Sequence, residues 1–134
     1  MDTILFQDWC SIASGPSVVQ SAHDYLDLGF HEDLVFTLQV TNLVVGPVTM
    51  GYETSPTQED NGFLPMVLPF TMAVGVRVDR AFFATAYTPP ARYVRWRLTG
   101  PGTSPFGVTF RIWVAAYSFS SPDSKPVQCN PCCA

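Results

Sequence analysis

The sequence predicts an all-β domain, an antiparallel β-sandwich or jelly roll with six to eight strands. Three observations carry this. Apolar residues recur at every second position in five separate stretches, turn-forming residues stand between those stretches, and twelve prolines are spread through 134 residues. Period-two alternation buries one face of a strand and wets the other. Proline inside a helix removes a donor and clashes with the preceding turn, so helices beyond two or three turns are excluded. Short strands with such punctuation pack as antiparallel sandwiches rather than as a parallel sheet.

The elements follow in chain order. Residues 17–28 form a first, irregular strand. In residues 34–42, Leu34, Phe36, Leu38 and Val40 alternate with Thr37, Gln39 and Thr41. Val48, Met50 and Tyr52 alternate with Thr49, Gly51 and Glu53. Over residues 70–79 the apolar face reads Phe70, Met72, Val74, Val76 and Val78, against Thr71, Gly75, Arg77 and Asp79. Tyr93–Thr99 is the clearest strand, with Val94, Trp96 and Leu98 opposite Tyr93, Arg95, Arg97 and Thr99. A long closing strand places Val108, Phe110, Ile112, Val114 and Ala116 against Thr109, Arg111, Trp113 and Tyr117. Gly46-Pro47, Ser55-Pro56, Asp60-Asn61-Gly62, Pro89-Pro90 and Gly100-Pro101-Gly102 punctuate these runs as turns. No repeat or linker divides the chain. The sandwich is expected over residues 1–118 and a polar, Cys-containing tail over 119–134.

Charged residues make up 13% of the chain, about half the usual share of roughly 25%. There is one lysine, Lys125, and only three glutamates, beside ten Phe, five Tyr and three Trp. Either Thr, Ser and Gln supply the polar faces, or neighbouring subunits cover much of the surface, since interface cores are poor in charge and rich in aromatics and Arg. The charge is also unevenly distributed. Residues 1–76 carry nine acidic groups and no basic one, whereas residues 77–134 carry seven basic and two acidic groups. Strand pairing inside the fold can close that gap, or the subunit has unlike faces suited to head-to-tail packing. A net charge of −4 opposes non-specific nucleic-acid binding. No apolar run approaches the roughly 20 residues that span a bilayer, and the N-terminus lacks the basic and apolar segments of a signal peptide. Synthesis in the cytoplasm is therefore expected, where disulfides are disfavoured.

Catalytic patterns are weak. The tail ends Cys129-Asn130-Pro131-Cys132-Cys133, but a structural zinc needs four ligands and only Cys10, His23 and His31 remain to help. A redox C-x-x-C belongs to a βαβ context, not to a polar tail. His23, Asp24, Asp27, His31, Glu32 and Asp33 lie close in sequence, yet Asp24 and Asp27 at i and i+3 point to opposite faces of a strand, and residues 29–33 read as a turn. No nucleophile elbow or phosphate loop is present. No catalytic residue, metal ligand or cofactor is expected. The basic group is more informative. Tyr93, Arg95 and Arg97 share a strand face, and Arg111 joins them if the last two strands pair. Such a ladder seats a neighbouring subunit or binds an anionic or sugar ligand. Equally, it pairs internally with acids of the first half.

Four segments stand out in order: Tyr25-Leu26-Asp27-Leu28-Gly29; Tyr52-Glu53-Thr54-Ser55-Pro56 followed by Glu59-Asp60-Asn61-Gly62-Phe63; Ala91-Arg92-Tyr93-Val94-Arg95-Trp96-Arg97; and residues 108–116. They resemble, in turn, an early strand, a strand entering a Ser- and Asp-Gly-containing turn, the penultimate strand and the closing strand of discoidin-like domains, the coagulation factor 5/8 C-type, galactose-binding-like β-sandwiches. The family's calcium loop and end-tying disulfide have no counterpart, so its binding residues are not carried over. Compact sandwiches of this kind also resemble accessory proteins of phage particles.

The leading expectation is a non-enzymatic structural protein that packs as a repeated subunit, a homo-oligomer or a partner of other particle proteins, in a virion as a capsid decoration or tail accessory protein. Its interface would set Tyr93, Arg95, Arg97 and Arg111 against Asp24, Asp27, Glu32 and Asp33. The alternative is a carbohydrate-binding module of the galactose-binding-like type. Its glycan would lie on the loops at 55–63 and 101–106, with Ser55, Glu59 and Asp60 as ligands.

Overall fold

The computed structural model describes residues 2–13, 17–28, 33–44, 47–82, 88–101 and 106–117. The alternating runs become strands, and their apolar faces turn toward each other across two antiparallel sheets. Among the described residues the strands are β1 (Asp2–Ala13), β2 (Ser17–Val19), β3 (Leu26–Asp27), β4 (Asp33–Val44), β5 (Thr49–Ser55), β6 (Leu64–Pro65), β7 (Phe70–Thr71), β8 (Gly75–Phe82), β9 (Tyr93–Thr99) and β10 (Gly107–Tyr117). Six of these run for seven residues or more; the others are two- or three-residue segments. One sheet has the order β1-β10-β4-β8. The other places β9 beside β5, with β2 and β3 on the outer flank of β9 and β6 and β7 on that of β5.

β4, β5, β9 and β10 supply alternating apolar side chains to the core. Leu34, Phe36, Leu38 and Val40 of β4 face Val108, Phe110, Ile112, Val114 and Ala116 of β10 within one layer. Met50 and Tyr52 of β5 and Val94, Trp96 and Leu98 of β9 close the core from the other sheet. Aromatic rings join the layers. Phe36 stacks on Tyr52 with centroids 4.0 Å apart and planes 6° from parallel, and Trp96 meets Phe110 edge-on at 5.1 Å. Such burial, at about 25 cal/mol per Å² of apolar area, is the main term holding the sheets together.

Three elements differ from the pattern reading. Residues 70–79 are not one strand. β7 belongs to the β5–β9 sheet, and the chain then crosses to the other sheet, entering β8 through Gly75 at φ 128°, a conformation that favours glycine. The crossing ends the common face: Phe70 and Met72 are buried, but Val74, Val76 and Val78 are more than 60% exposed. Residues 17–28 split into β2, a 3-10 turn at Ala22–Asp24 and β3, with both strands pairing against β9. β1 has no counterpart in the period-two reading. Irregularities between Leu5 and Gln7 and between Gln7 and Cys10 break its alternation. The bulge turns Gln7 inward with Phe6, where its side-chain oxygen accepts a 3.0 Å bond from the Trp96 indole N–H. The expected tail, 119–134, lies outside the described residues.

Candidate functional site

On the outer face of the β5–β9 sheet, alternation places Glu53 of β5 directly opposite Arg95 of β9 and one pair from Arg97. Glu53 accepts from both: Arg95 Nε at 2.9 Å and Arg97 Nε at 2.8 Å. Arg95 Nη1 also donates to the Tyr25 hydroxyl at 2.9 Å and to Asp60 at 2.6 Å, while its guanidinium lies 4.0 Å from the Phe63 ring centroid. Its side chain is wholly buried. The cover is the 56–63 loop, folded tightly by local bonds. The Thr57 N–H donates to Ser55 Oγ, the Glu59 N–H to Thr57 Oγ1, and the Gly62 N–H to the Glu59 carbonyl. Gly62 is required there, because a Cβ would come within 2.7 Å of Ser55 Oγ. The bond from Arg95 holds the Asp60 carboxyl below its usual range. Burial pulls the Arg95 guanidinium down, but bonds to Asp60, Tyr25 and Glu53 outweigh it and raise it.

The structure thus brings Tyr25, Glu53, Asp60, Arg95 and Arg97 together, with Arg95 and Glu53 buried and the Asp60 carboxylate left open to solvent. The remaining residues named from the sequence are distributed elsewhere. Asp27 on β3 pairs with Arg92 at 3.1 Å, and the Arg92 guanidinium lies 5.0 Å from the Tyr93 ring. Asp33 on β4 takes both arms of Arg80, at 2.5 and 2.9 Å. Asp24 is exposed in the 3-10 turn, Glu59 is exposed in the 56–63 loop, and Glu32 lies outside the described residues. Each of these ion pairs joins an acid from the first half of the chain to an arginine from the second, so the charge asymmetry along the sequence is closed by strand pairing. Arg111 does not join Arg95 and Arg97. β9 and β10 lie in different sheets, because each pairs with an earlier strand in preference to its neighbour across 101–106.

Arg111 instead occupies the outer face of the four-stranded sheet, which carries exposed apolar side chains among the described residues. Register places Leu5, Trp113, Thr37 and Val78 in one row across β1, β10, β4 and β8. The flanking row holds Arg111, Gln39 and Val76, with Trp9 alongside on β1. Arg111 donates to the Gln39 side-chain oxygen at 2.8 Å and lies 4.6 Å from the Trp9 ring and 5.7 Å from the Trp113 ring. Leu5 and Trp9 are over 40% exposed, Val76 and Val78 over 60%. Alternation in the sequence predicts the β10 part of this face, Arg111 and Trp113; the bulges of β1 hide Leu5 and Trp9, and alternation over residues 70–79 places Val76 and Val78 on one face with Phe70 and Met72.

Among the described residues no three His, Cys, Asp or Glu side chains gather where a metal could sit, and no helix is long and apolar enough to cross a membrane. His23 is exposed, His31 and the tail cysteines lie outside the described residues, and Cys10 is a free thiol raised by burial.

No family model matches the chain, and no curated protein matches it. Among solved structures, the family 11 carbohydrate-binding module of cellulosomal cellulase Lic26A-Cel5E of Clostridium thermocellum is similar over 89% of this chain and 97% of its own, with 13% identity and a TM-score of 0.38.

Proposed function

We propose that the chain is a non-enzymatic packing module, a repeated subunit that seats a protein surface on the outer face of its four-stranded sheet. The observation that supports this is the row Leu5–Trp113–Thr37–Val78, extended by Trp9 and Val76. It spans four strands at about 4.8 Å each and is apolar where a solitary sheet is normally polar. Patches of this kind mark interaction surfaces, and Trp and Arg are the residues that most often anchor them. Aliphatic Leu5, Val76 and Val78 gain most from an apolar partner, which favours protein over sugar. The arginine ladder, by contrast, serves the fold. Native mass measurement across a concentration series tests the proposal: the chain associates, and Leu5→Lys with Trp9→Ser, both solvent-facing, weaken association while leaving the fold intact. A strictly monomeric chain at millimolar concentration sinks it.

A second reading, a carbohydrate-binding module, is favoured by one feature. Trp9 and Trp113 flank Arg111 and Gln39, with the Ser11 and Thr109 hydroxyls bonded 2.8 Å apart nearby. Exposed rings beside planar hydrogen-bonding groups suit a sugar ring. This moves the site away from Ser55, Glu59 and Asp60, since Asp60 is engaged by Arg95. Absence of binding on a glycan array, with and without calcium, removes this reading.

A further inference from the structure

We propose that β8 is a self-pairing edge: a second copy of this chain adds its own β8 antiparallel to the first, about a two-fold axis at Val78. This deepens the packing reading and rests on it, by naming one partner and one register.

The four-stranded sheet has two edges, and they are unlike. β1 is bulged twice, and the Gln20 side chain donates to the Phe6 carbonyl at 2.8 Å, which disrupts and caps that edge. β8 pairs with β4 over eight consecutive residues without irregularity, contains no proline, and among the described residues pairs with no other strand. Its outward side chains, Val76 and Val78, are exposed, and Val74 precedes them in the same state. An edge of this regularity offers a row of backbone donors and acceptors to another strand.

Charge then selects the register. On the inner side of β8, Arg77 and Asp79 bond each other at 2.8 and 3.1 Å, two residues apart with Val78 between them. A two-fold axis at Val78 sets Arg77 of each copy opposite Asp79 of the other, Val78 opposite Val78, and Val76 opposite Arg80. An axis at Arg77 or at Asp79 would instead oppose two like charges. Axes between residues would oppose an inner side chain to an outer one, which the pleat forbids. Directly opposite unlike charges stabilise an antiparallel pair and like charges destabilise it. One register therefore satisfies charge and pleat together. It joins the apolar rows of the two copies into a single eight-stranded face. A cleft of about 240 Å³ lined by Phe70, Met72, Val74, Val76 and Arg77 lies at the start of this strand.

The test is sedimentation or native mass measurement of the full chain and its charge variants, with circular dichroism as the check on folding. The wild type is expected to dimerise. Asp79→Arg and Arg77→Asp, which place like charges across the axis, each weaken the homodimer about tenfold or more. Mixing these two variants yields a heterodimer, and the double exchange R77D/D79R restores the homodimer. A purely structural Arg77–Asp79 pair would give no such selectivity. A monomeric wild type, single variants that dimerise like the wild type, or a mixture that stays apart overturns the inference. Association that ignores the charge variants but disappears with Leu5→Lys and Trp9→Ser overturns the β8 edge and keeps the packing module. A dimer that never grows further keeps the edge and removes the repeated subunit.

Discussion

Removing the Glu53 carboxylate by Glu53→Ala leaves two guanidinium groups without their shared partner, one of them wholly buried. Glu53 accepts from Arg95 at 2.9 Å and from Arg97 at 2.8 Å, and only 11% of its side chain is exposed. Breaking a buried pair from one side costs about 3–5 kcal/mol, because the remaining charge cannot return to water without opening the fold. Arg95 keeps Asp60 and Tyr25, which places the cost toward the lower end. For a domain between the small and large size classes, about 3–4 °C of melting temperature is lost per kcal/mol, so Tm falls by roughly 10–15 °C. Thermal and urea denaturation read this directly. The loss persists at high salt, since a pair shielded from solvent is little screened. Replacing both partners with methionine removes the orphaned charge, and E53M/R95M recovers much of the loss. A Glu53→Ala cost below about 1 kcal/mol, the level of an exposed pair, would refute the claim that this network is internal.

Three further outcomes are expected. The Tyr52 hydroxyl is buried without a hydrogen-bond partner among the described residues, so Tyr52→Phe keeps the stack on Phe36 and raises unfolding free energy by about 1 kcal/mol; a loss in urea melts counts against it. Gly62→Ala forces a Cβ onto Ser55 Oγ and costs about 1–2 kcal/mol, a cost that shrinks when Ser55→Ala removes the obstacle, as a double-mutant cycle measures. The Asp60 carboxyl is depressed in the fold by Arg95, so its stabilisation is fully present above the ordinary carboxylate value, near 3.9. It is lost as pH falls through the lower folded value. Acid titration of Asp60→Asn shows a shallower fall in stability below pH 4 than the wild type; equal slopes would count against the bond.

How much of this was legible depends on what each residue reports. β4, β5, β9 and β10 were readable because their alternation is unbroken and each has one face in the core. That Arg95 and Arg97 share a face followed from parity alone. Their partners did not, because Glu53 is brought opposite Arg95 by a pairing 42 residues apart in sequence, and Asp60 by a loop whose closure depends on Gly62. Val76 and Val78 were misplaced for a definite reason. Alternation reveals that two sets of side chains face opposite ways, not which way is inward, and at Gly75 the chain moves from one sheet to the other. β1 was missed because bulges put Phe6 and Gln7 on the same side, which erases the period.

Five of the six arginines meet a carboxylate of the chain itself, and four of those five reach back to acids in the first 76 residues. Arg80, Arg92, Arg95 and Arg97 thereby tie together segments distant in sequence, although Arg80 and Arg92 stay more than half exposed. Arg111 alone, among the described residues, has no carboxylate; it is held by Gln39 and the Trp9 and Trp113 rings in the middle of the exposed apolar face. A cation fixed there by stacking keeps its charge while giving up little conformational freedom on contact, which is the property of an anchor residue. The arginine–carboxylate pairs are thus distributed over both sheets, and the outer face of the four-stranded sheet is left with a cation held by rings amid exposed apolar side chains.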